Sequence, residues 1–291
     1  NTWEIPVTEE APPKKRGLLG ALAFLFGLVP IYAFVADDIA ADLGWKWSFG
    51  LVAGILTVVS LVMLLGWFKE TDRWLKSKED RGHKLMDIKQ AFKAMTKKDW
   101  VYILVLGMVY FIWSTCFKIA TLGVEDFFTF KGMADEFDSY MLTVGGLLTM
   151  FGALVAGIIM DKFGRNKALI IGGIIAVTSY ILLGLTASAA AMWGVYFSMP
   201  MVLAWITVYF AEIFPTKTRA TSMGVVVTIS RASYMVGPAL SAALIIAFPD
   251  WIGYWIVGGL LMILPFLALA MKPYESKLKT VEEIEEERDA K

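Results

Sequence analysis

The chain is poor in the residues that build disulfides and zinc sites. Its 291 residues include one cysteine, Cys116, and one histidine, His83. A single cysteine excludes an internal disulfide framework and any site built from several cysteines. We therefore expect no bound metal, and no motif in the sequence indicates a cofactor.

The sequence also lacks an excess of charge of either sign. Lys and Arg number 27, as do Asp and Glu, so the formal net charge is zero. A nucleic-acid-binding protein would carry a basic face, so we expect no nucleic-acid partner. Charged residues make up only 19% of the chain, whereas 57% are apolar. This composition excludes an ordinary cytosolic globule and is typical of a membrane protein.

Long apolar runs recur along the chain at the length of about 20 residues that crosses a hydrocarbon core. Uncharged or nearly uncharged runs cover residues 17–36, 47–68, 139–160, 168–211, 221–246 and 251–271. The run 100–124 adds another, interrupted by Lys118, and the run 168–211 is long enough for two spans with a turn at Thr186. The sequence therefore predicts an all-α polytopic membrane protein with eight transmembrane helices.

The distribution of Lys and Arg predicts how these spans are oriented. All but four of the 27 basic residues lie in segments on one side of the predicted bundle; the four are Lys46, Lys118, Lys131 and Arg231. Basic residues accumulate in cytoplasmic loops of membrane proteins. We therefore expect both chain ends to be cytoplasmic and the protein to lie in a bacterial or archaeal inner membrane or a plasma membrane.

A long polar stretch, residues 69–99, separates two predicted spans from six. Within it, apolar residues follow one helical stripe, Leu85, Ile88, Phe92 and Met95. This spacing predicts an amphipathic interfacial helix; a soluble linker with accidental periodicity is the alternative. The predicted domains are the last two helices of an N-terminal half at 1–68, a cytoplasmic central loop at 69–99, a C-terminal six-helix bundle at 100–272 and a cytoplasmic acidic tail at 273–291. For the tail after Val281 we expect a solvated face without chemistry.

A short pattern recurs at the cytoplasmic entrances of two predicted spans. The pattern E-x-x-P-x-K-x-R starts at Glu9 and again at Glu212. An internal repeat of this kind indicates two homologous halves of parallel topology.

Four segments resemble motifs of the major facilitator superfamily, most closely its sugar-porter-like branch. Residues 157–167 resemble the G-x-x-x-D-x-x-G-R-[KR] loop, and residues 211–220 resemble the E-x-[FY]-P-T-x-x-R-[AG] signature. Residues 70–75 are similar to P-E-S-P-R-W-L, and residues 273–284 to the P-E-T-K-G-x-[ST]-L-E-E-I tail. The four motifs occur in the family's order across the whole chain.

The resemblance implies that the eight spans correspond to helices five to twelve of a twelve-helix transporter, without the first four. It implies a secondary transporter that moves a small organic solute, a sugar or an organic acid, by alternating access. The expected partners are the solute, a proton where transport is coupled, and the lipid bilayer, with a monomeric full-length protein. We expect no enzyme activity. A solute sensor of the same fold and an unrelated eight-helix membrane enzyme are the alternatives.

The two cytoplasmic motifs contain four charged residues with a shared physical logic. The Asp161 carboxylate can accept hydrogen bonds from the backbone amides at a helix N-terminus or from an arginine. The Arg165 guanidinium can donate two parallel hydrogen bonds to the Glu212 carboxylate. The resemblance implies that these three residues and Arg219 form a gating charge network. The alternative is a plain basic turn that only sets topology.

Charged and aromatic residues inside spans are candidates for binding the solute. Arg231 lies ten residues into its span, about 15 Å deep at helical rise, where an ionised side chain is unfavourable by roughly 2.5–3.5 kcal/mol. The other candidates are Lys118, Tyr110, Trp113, Trp205 and Tyr209. The alternatives are a structural arginine, a lysine that reaches the interface, and core aromatics.

Two absences bear on the solute and on coupling. No glutamine occurs between Val109 and Lys118, where sugar porters carry a Gln-Gln motif, and this departure argues against a hexose. Two solute classes stay open: a neutral sugar, or an anion that binds to Arg231. No carboxylate lies deep in a predicted span, so we expect any proton-coupling acid on the missing helices.

Overall fold

The computed structural model of the chain describes residues 10–28, 42–62, 88–270 and 275–290, with residues 65, 75, 76 and 79. In chain order its main helices are α1 (Arg16–Leu28), α2 (Trp45–Val62), α3 (Ile88–Ala94), α4 (Lys97–Phe130), α5 (Leu142–Phe163), α6 (Arg165–Thr186), α7 (Ala189–Ile213), α8 (Arg219–Arg231), α9 (Ser233–Ala247), α10 (Ile252–Leu261) and α11 (Val281–Ala290). A π-helical turn, Phe137–Met141, precedes α5. After α10 the chain continues through a 3₁₀ turn and a short helix, Leu264–Phe266 and Leu267–Ala270.

Seven helical segments within the described ranges are long and apolar enough to cross a membrane, α8 and α9 together forming one of them. The predicted all-α polytopic class is thereby confirmed. The count of eight is not, because the predicted span 17–36 is described only as far as Leu28. The domain limits stay a prediction, and most of the predicted central loop, including Leu85, lies outside the described residues.

The fourth helix is longer than the predicted span 100–124 because a capping box fixes its start. The backbone amide of Asp99 donates to the Thr96 hydroxyl at 3.2 Å, and the Thr96 amide donates to the Asp99 carboxylate at 2.8 Å. These reciprocal bonds satisfy donors that a helix N-terminus leaves free. The T-x-x-D spacing at 96–99 is the sequence signal for this boundary.

The predicted turn inside residues 168–211 is confirmed. Helix α6 ends at Thr186, and Ala187 takes a left-handed conformation with φ of 49°. The Ser188 side chain then accepts from the Ala191 amide at 3.3 Å and caps α7. One long apolar run therefore becomes two helices.

Among the seven described spans, helix α7 is the most enclosed, with 83% of its most apolar 18-residue stretch buried. It packs between α5 and α6, while α4 packs against α8 and α9, and α6 against α10. Helix α1 packs on α5 and also contacts α7. The described residues of α2 are exposed. Between them, α4, α5, α7, α8 and α9 surround a cavity.

The contact between α1 and α5 depends on a glycine. A Cβ added to Gly157 would lie 2.8 Å from the Leu18 Cα atom and 3.0 Å from the Gly17 carbonyl oxygen. Small residues allow helix backbones in membrane proteins to approach this closely. The approach brings the start of α1 against the end of α5, where Asp161 lies.

The predicted span 221–246 is two helices with a break at Ala232. Arg231 is the last residue of α8, and Ser233 begins α9. The amide of Ala232 bonds to the Ile229 carbonyl at 3.3 Å, an i→i+3 closure that interrupts the α-helical ladder. Arg231 therefore lies at a helix junction and not within a continuous helix.

The predicted amphipathic helix is partly described. Helix α3 covers Ile88–Ala94, and Met95, just after it, is buried in the core. Phe92 stacks on Trp100 with ring centroids 5.7 Å apart. Within the described part of the apolar stripe, Met95 therefore faces the bundle, whereas Phe92 is exposed beside Trp100.

Candidate functional site

Three of the predicted gating residues meet in one buried cluster. Arg165 begins α6, and its Nη2 lies 2.9 Å from Oε1 of Glu212 while its Nε lies 3.2 Å from Oε2. Its Nη1 donates to Asp161 at 2.9 Å. Arg165 and Glu212 are both fully buried. The arrangement is a two-point arginine–carboxylate pair with a second carboxylate on the remaining nitrogen.

Asp161 also binds the first helix. Its two carboxylate oxygens accept from the backbone amides of Gly17 and Leu18 at 2.8 and 2.9 Å. These amides belong to the first turn of α1, where the helix dipole favours a negative charge. One carboxylate therefore joins α1, α5 and, through Arg165, α6.

Arg16 is a member of this cluster that the sequence interpretation missed. Its side chain is buried, and its Nη1 lies 3.4 Å from Oε1 of Glu212. The same nitrogen donates to the Lys279 carbonyl at 3.2 Å. The repeated E-x-x-P-x-K-x-R pattern aligns Arg16 with Arg219, and this was the signal that could have identified it.

Arg219 lies at the turn that follows α7. Its Nε donates to the Phe214 carbonyl at 3.1 Å, and its Nη2 lies 3.5 Å from Glu285. Because Arg219 follows the turn after α7, its side chain folds back on that turn and on α11. The membership of Arg219 in the gating charge network stays a prediction.

The segment 275–290 packs onto the bundle, and its first residues contact the cluster. The expectation of a solvated face after Val281 was wrong at Val281 and Ile284, which are buried. Glu275 accepts from the backbone amides of Arg165 at 2.8 Å and Asn166 at 3.3 Å, capping α6. The hydroxyl of the buried Ser276 donates to Glu212. With the bond from Arg16 to the Lys279 carbonyl, the C-terminal segment therefore contacts three members of the ion cluster directly.

Helix α11 is held by apolar and polar contacts. Val281 and Ile284 are buried, and Glu285 accepts from the Thr216 amide at 2.6 Å and the Thr216 hydroxyl at 2.8 Å. The i,i+3 spacing of Val281 and Ile284 within an acidic sequence was the available signal for a docked helix.

A cavity of about 260 Å³ lies in the bundle. Four of the six predicted solute-binding residues line it: Tyr110, Trp113, Lys118 and Arg231. The Trp113 and Phe117 rings stack on one side with centroids 5.5 Å apart and an interplanar angle of 13°. The Trp113 indole donates to the Met199 carbonyl at 3.0 Å, which fixes this ring.

Two cations of the cavity share one aromatic ring. The Lys118 ammonium lies 4.6 Å from the Tyr234 ring centroid, and the Arg231 guanidinium lies 4.9 Å from it. Arg231 also donates to the Tyr234 hydroxyl. None of the lining residues that the structure describes is an Asp or a Glu.

The hydroxyl groups of the cavity are oriented by the backbone. Thr121 and Thr149 donate to the carbonyls of Phe117 and Gly145 at 2.9 and 3.0 Å, and Ser230 donates to Val227 at 2.8 Å. A hydroxyl whose hydrogen is already donated keeps lone pairs as acceptors. These side chains can therefore accept hydrogen bonds from a hydroxylated solute.

Trp205 and Tyr209 do not belong to this cavity. Their rings stack at 4.9 Å between centroids with an interplanar angle of 10°, and both residues are fully buried. Trp205 also packs edge-on against Phe210. Both residues of α7 are core, which is the alternative that the sequence left open.

The geometry can be compared with known proteins. Residues 7–209 match the family profile described as the Major Facilitator Superfamily. The chain belongs to the Major Facilitator Superfamily. The predicted family is thereby confirmed, and with it a multi-pass membrane protein that transports a small solute by alternating access.

Two relatives and one solved structure illustrate the similarity. "Probable metabolite transport protein CsbC" of Bacillus subtilis is 28% identical, over 98% of this chain and 70% of that protein. "Glucose transporter GlcP" of Staphylococcus epidermidis is 24% identical, over 99% and 72%. The structure of the proton:xylose symporter XylE superposes with a TM-score of 0.68 at 21% identity, covering 97% of this chain and 69% of that one. This likeness concerns the fold.

Proposed function

We propose that this superfamily member carries a small hydroxylated solute through the cavity beside Thr149. Five helices contribute to its lining, and the stacked rings of Trp113 and Phe117 offer a flat apolar surface on which a sugar ring can rest. The oriented hydroxyls next to them supply hydrogen-bond acceptors. A mostly apolar cleft with a few fixed polar groups is the usual form of a small-molecule site.

We further propose that the buried ion cluster is the cytoplasmic gate for this cavity. Helix α7 contributes Leu203 to the cavity and Glu212 to the cluster, nine residues later and about 14 Å along the helix axis. This connection through one rigid helix is the observation that carries the proposal. An intact cluster holds α1, α5, α6 and α7 together, and its release lets their ends separate.

The proposed orientation follows from the basic residues. With the cluster on the cytoplasmic side, both ends of this chain are cytoplasmic. We also propose that the monomer is the transporting unit, because one chain supplies the described lining of the cavity. Exposed large apolar side chains such as Leu104, Phe151 and Ile174 then face the bilayer. A protease-protected tag at either end in right-side-out vesicles would support this orientation, and a tag cleaved from outside would refute it.

The experiment that tests the proposed path fills the cavity. In proteoliposomes containing the whole natural protein, Thr149→Trp should abolish uptake of labelled sugars and polyols, because the new indole occupies the lining. Leu147→Trp is the matched control, since Leu147 lies on the same helix but is 44% exposed and outside the lining. Uptake that survives Thr149→Trp would exclude this cavity, and solute binding without uptake by the unaltered protein would favour the sensor alternative.

A further inference from the structure

We propose that the solute is a polyhydroxylated carboxylate, a sugar acid, whose carboxylate binds between Lys118 and Arg231. This inference rests on the proposed function and names its substrate class. It starts from the two cations that contact the Tyr234 ring at 4.6 and 4.9 Å. Because both lie close to one ring, the two charges are within roughly 10 Å of each other. A single solute molecule can reach both.

These cations have no anionic partner among the residues that the structure describes. Three buried arginines of the described chain do: Arg16 and Arg165 pair with Glu212, and Arg219 lies near Glu285. Lys118 is half-buried and Arg231 is exposed. Lys118 and Arg231 contact only rings and the Tyr234 hydroxyl in the described contacts. Ionised residues within a membrane span are unfavourable and usually paired, so an incoming anion would supply the missing charge.

The charged side chains that line the cavity are therefore all positive among the described residues. In the part of the chain that the structure describes, the lining carries two formal positive charges and no carboxylate. A cleft lined by one sign of charge with low-dielectric walls raises the local concentration of the opposite ion. Tyr234 separates the cations and orients Arg231 through its hydroxyl, so the guanidinium is held without being neutralised.

The remainder of the lining fits the hydroxylated part of such a solute. Thr121 and Thr149 have donated their hydrogens to backbone carbonyls and present acceptors. Solute hydroxyls can donate to these acceptors while the carboxylate accepts from Lys118 and Arg231. A neutral sugar would use the hydroxyls but leave both cations unpaired.

The test compares solutes that differ only in the carboxylate. Glucuronate is matched with glucose, and gluconate with sorbitol, for binding to the purified whole protein and for counterflow in proteoliposomes. The acid of each pair should bind at least about tenfold more tightly, because hydrogen bonds to charged groups contribute roughly 1.5–3 kcal/mol and tenfold corresponds to about 1.4 kcal/mol. This preference should shrink as salt is raised.

Charge-changing variants locate the effect. Arg231→Gln and Lys118→Gln should each reduce the preference for the acid to near one while retaining any binding of the neutral partner. Arg231→Lys keeps the positive charge and should retain most of the preference for the acid. If Arg231→Gln fails to fold, Arg231→Lys and Lys118→Gln still test the role of charge. Lys131→Gln is the matched control, because Lys131 lies beyond the end of α4 against Phe127 and Phe130, outside the cavity.

The outcomes separate this inference from the proposed function. Equal binding of acids and neutral sugars, or an acid preference unchanged in both Gln variants, would overturn the anion site and leave the transport path standing. A preference for acids that disappears in both Gln variants but not in Lys131→Gln would support it. If no member of either pair binds or exchanges, both proposals fail.

Discussion

Arg165 and Glu212 form a two-point ion pair that is completely enclosed, with nitrogen–oxygen distances of 2.9 and 3.2 Å. Removing either partner breaks this buried pair, which typically costs about 3–5 kcal/mol. Among the described ion pairs, Arg165 then keeps only Asp161, and Glu212 keeps only the longer 3.4 Å contact with Arg16. The pair joins the start of α6 to the end of α7, so this cost falls on the conformation in which those ends meet.

We therefore predict that Arg165→Ala and Glu212→Ala slow net transport at least tenfold while the solute Kd changes little. The substitutions shift the equilibrium between conformations without touching the cavity. Net uptake in proteoliposomes and equilibrium binding to purified protein measure the two effects separately.

Lys279→Ala is the control for this prediction. Lys279 pairs with Glu287 at 2.8 Å, but both side chains are partly exposed, and such pairs contribute only about 0.2–1 kcal/mol. Its uptake should match the unaltered protein. Normal turnover in both Arg165→Ala and Glu212→Ala would rule out the gate.

Gly164 should not tolerate a side chain. Its φ is 112°, which only glycine adopts readily, and an added Cβ would lie 2.7 Å from the Glu275 carboxylate. Backbone strain of this kind costs about 1–3 kcal/mol. We expect Gly164→Ala to lower the Tm of the purified protein by several degrees.

Gly224→Ala is the matched control for Gly164→Ala. Gly224 lies inside α8 with nothing within 4 Å of an added Cβ. Alanine there should raise stability by about 0.5–1 kcal/mol, because a mid-helix glycine is unfavourable. Equal melting temperatures for the two variants would contradict the strained turn.

The C-terminal segment should act on the gate through Glu275 and Ser276. Glu275→Ala removes the acceptor for two amides of α6, and Ser276→Ala removes a donor to Glu212. Losing a helix cap typically costs about 0.5–2 kcal/mol. We expect both variants to favour the conformation in which the helix ends at the ion cluster are separated.

Labelling of a cysteine introduced at Ala21 by a membrane-impermeant thiol reagent measures this shift, since Ala21 is fully buried in α1. Labelling should be faster in the Glu275→Ala and Ser276→Ala backgrounds. Glu283→Ala is the control, because Glu283 is exposed and bonds only within the start of α11. Identical labelling rates in all backgrounds would argue against a link between this segment and the gate.

The sequence predicted the class of fold because a membrane span can be recognised from the length and the apolar composition of one continuous run. It also indicated that Asp161, Arg165 and Glu212 could lie together, because an arginine fork fits a carboxylate, while their role as a gate stays a prediction. Helix ends were less predictable. The start of α4 depended on the side chain of Thr96, and the break at Ala232 has no proline or glycine to mark it.

The sequence could not predict whether an aromatic side chain of a span points into the cavity or into the core. Trp205, Tyr209, Trp113 and Tyr110 are all aromatic residues of predicted spans, yet only the last two line the cavity. Helix α7 is buried on nearly every side, so no apolar stripe distinguishes its cavity face from its core face. The docking of Arg16 and Glu275 needed three-dimensional proximity between segments more than 100 residues apart.

The last prediction concerns the coupling between Gly157 and Asp161. Gly157→Ala would bring a Cβ to 2.8 Å from the Leu18 Cα atom, so α1 must move away from α5 and the Asp161 carboxylate loses its two amide donors. Asp161→Ala removes the same bonds directly. Because both changes act through one contact, we expect the double variant to be less destabilised than additivity predicts, by at least about 0.5 kcal/mol. Chemical unfolding of the two single variants and the double variant in detergent measures the difference, with Ile158→Ala, an exposed neighbour on α5, as the partner expected to be additive with Asp161→Ala. Additive losses for Gly157→Ala and Asp161→Ala would mean that the close approach and the helix cap are independent features.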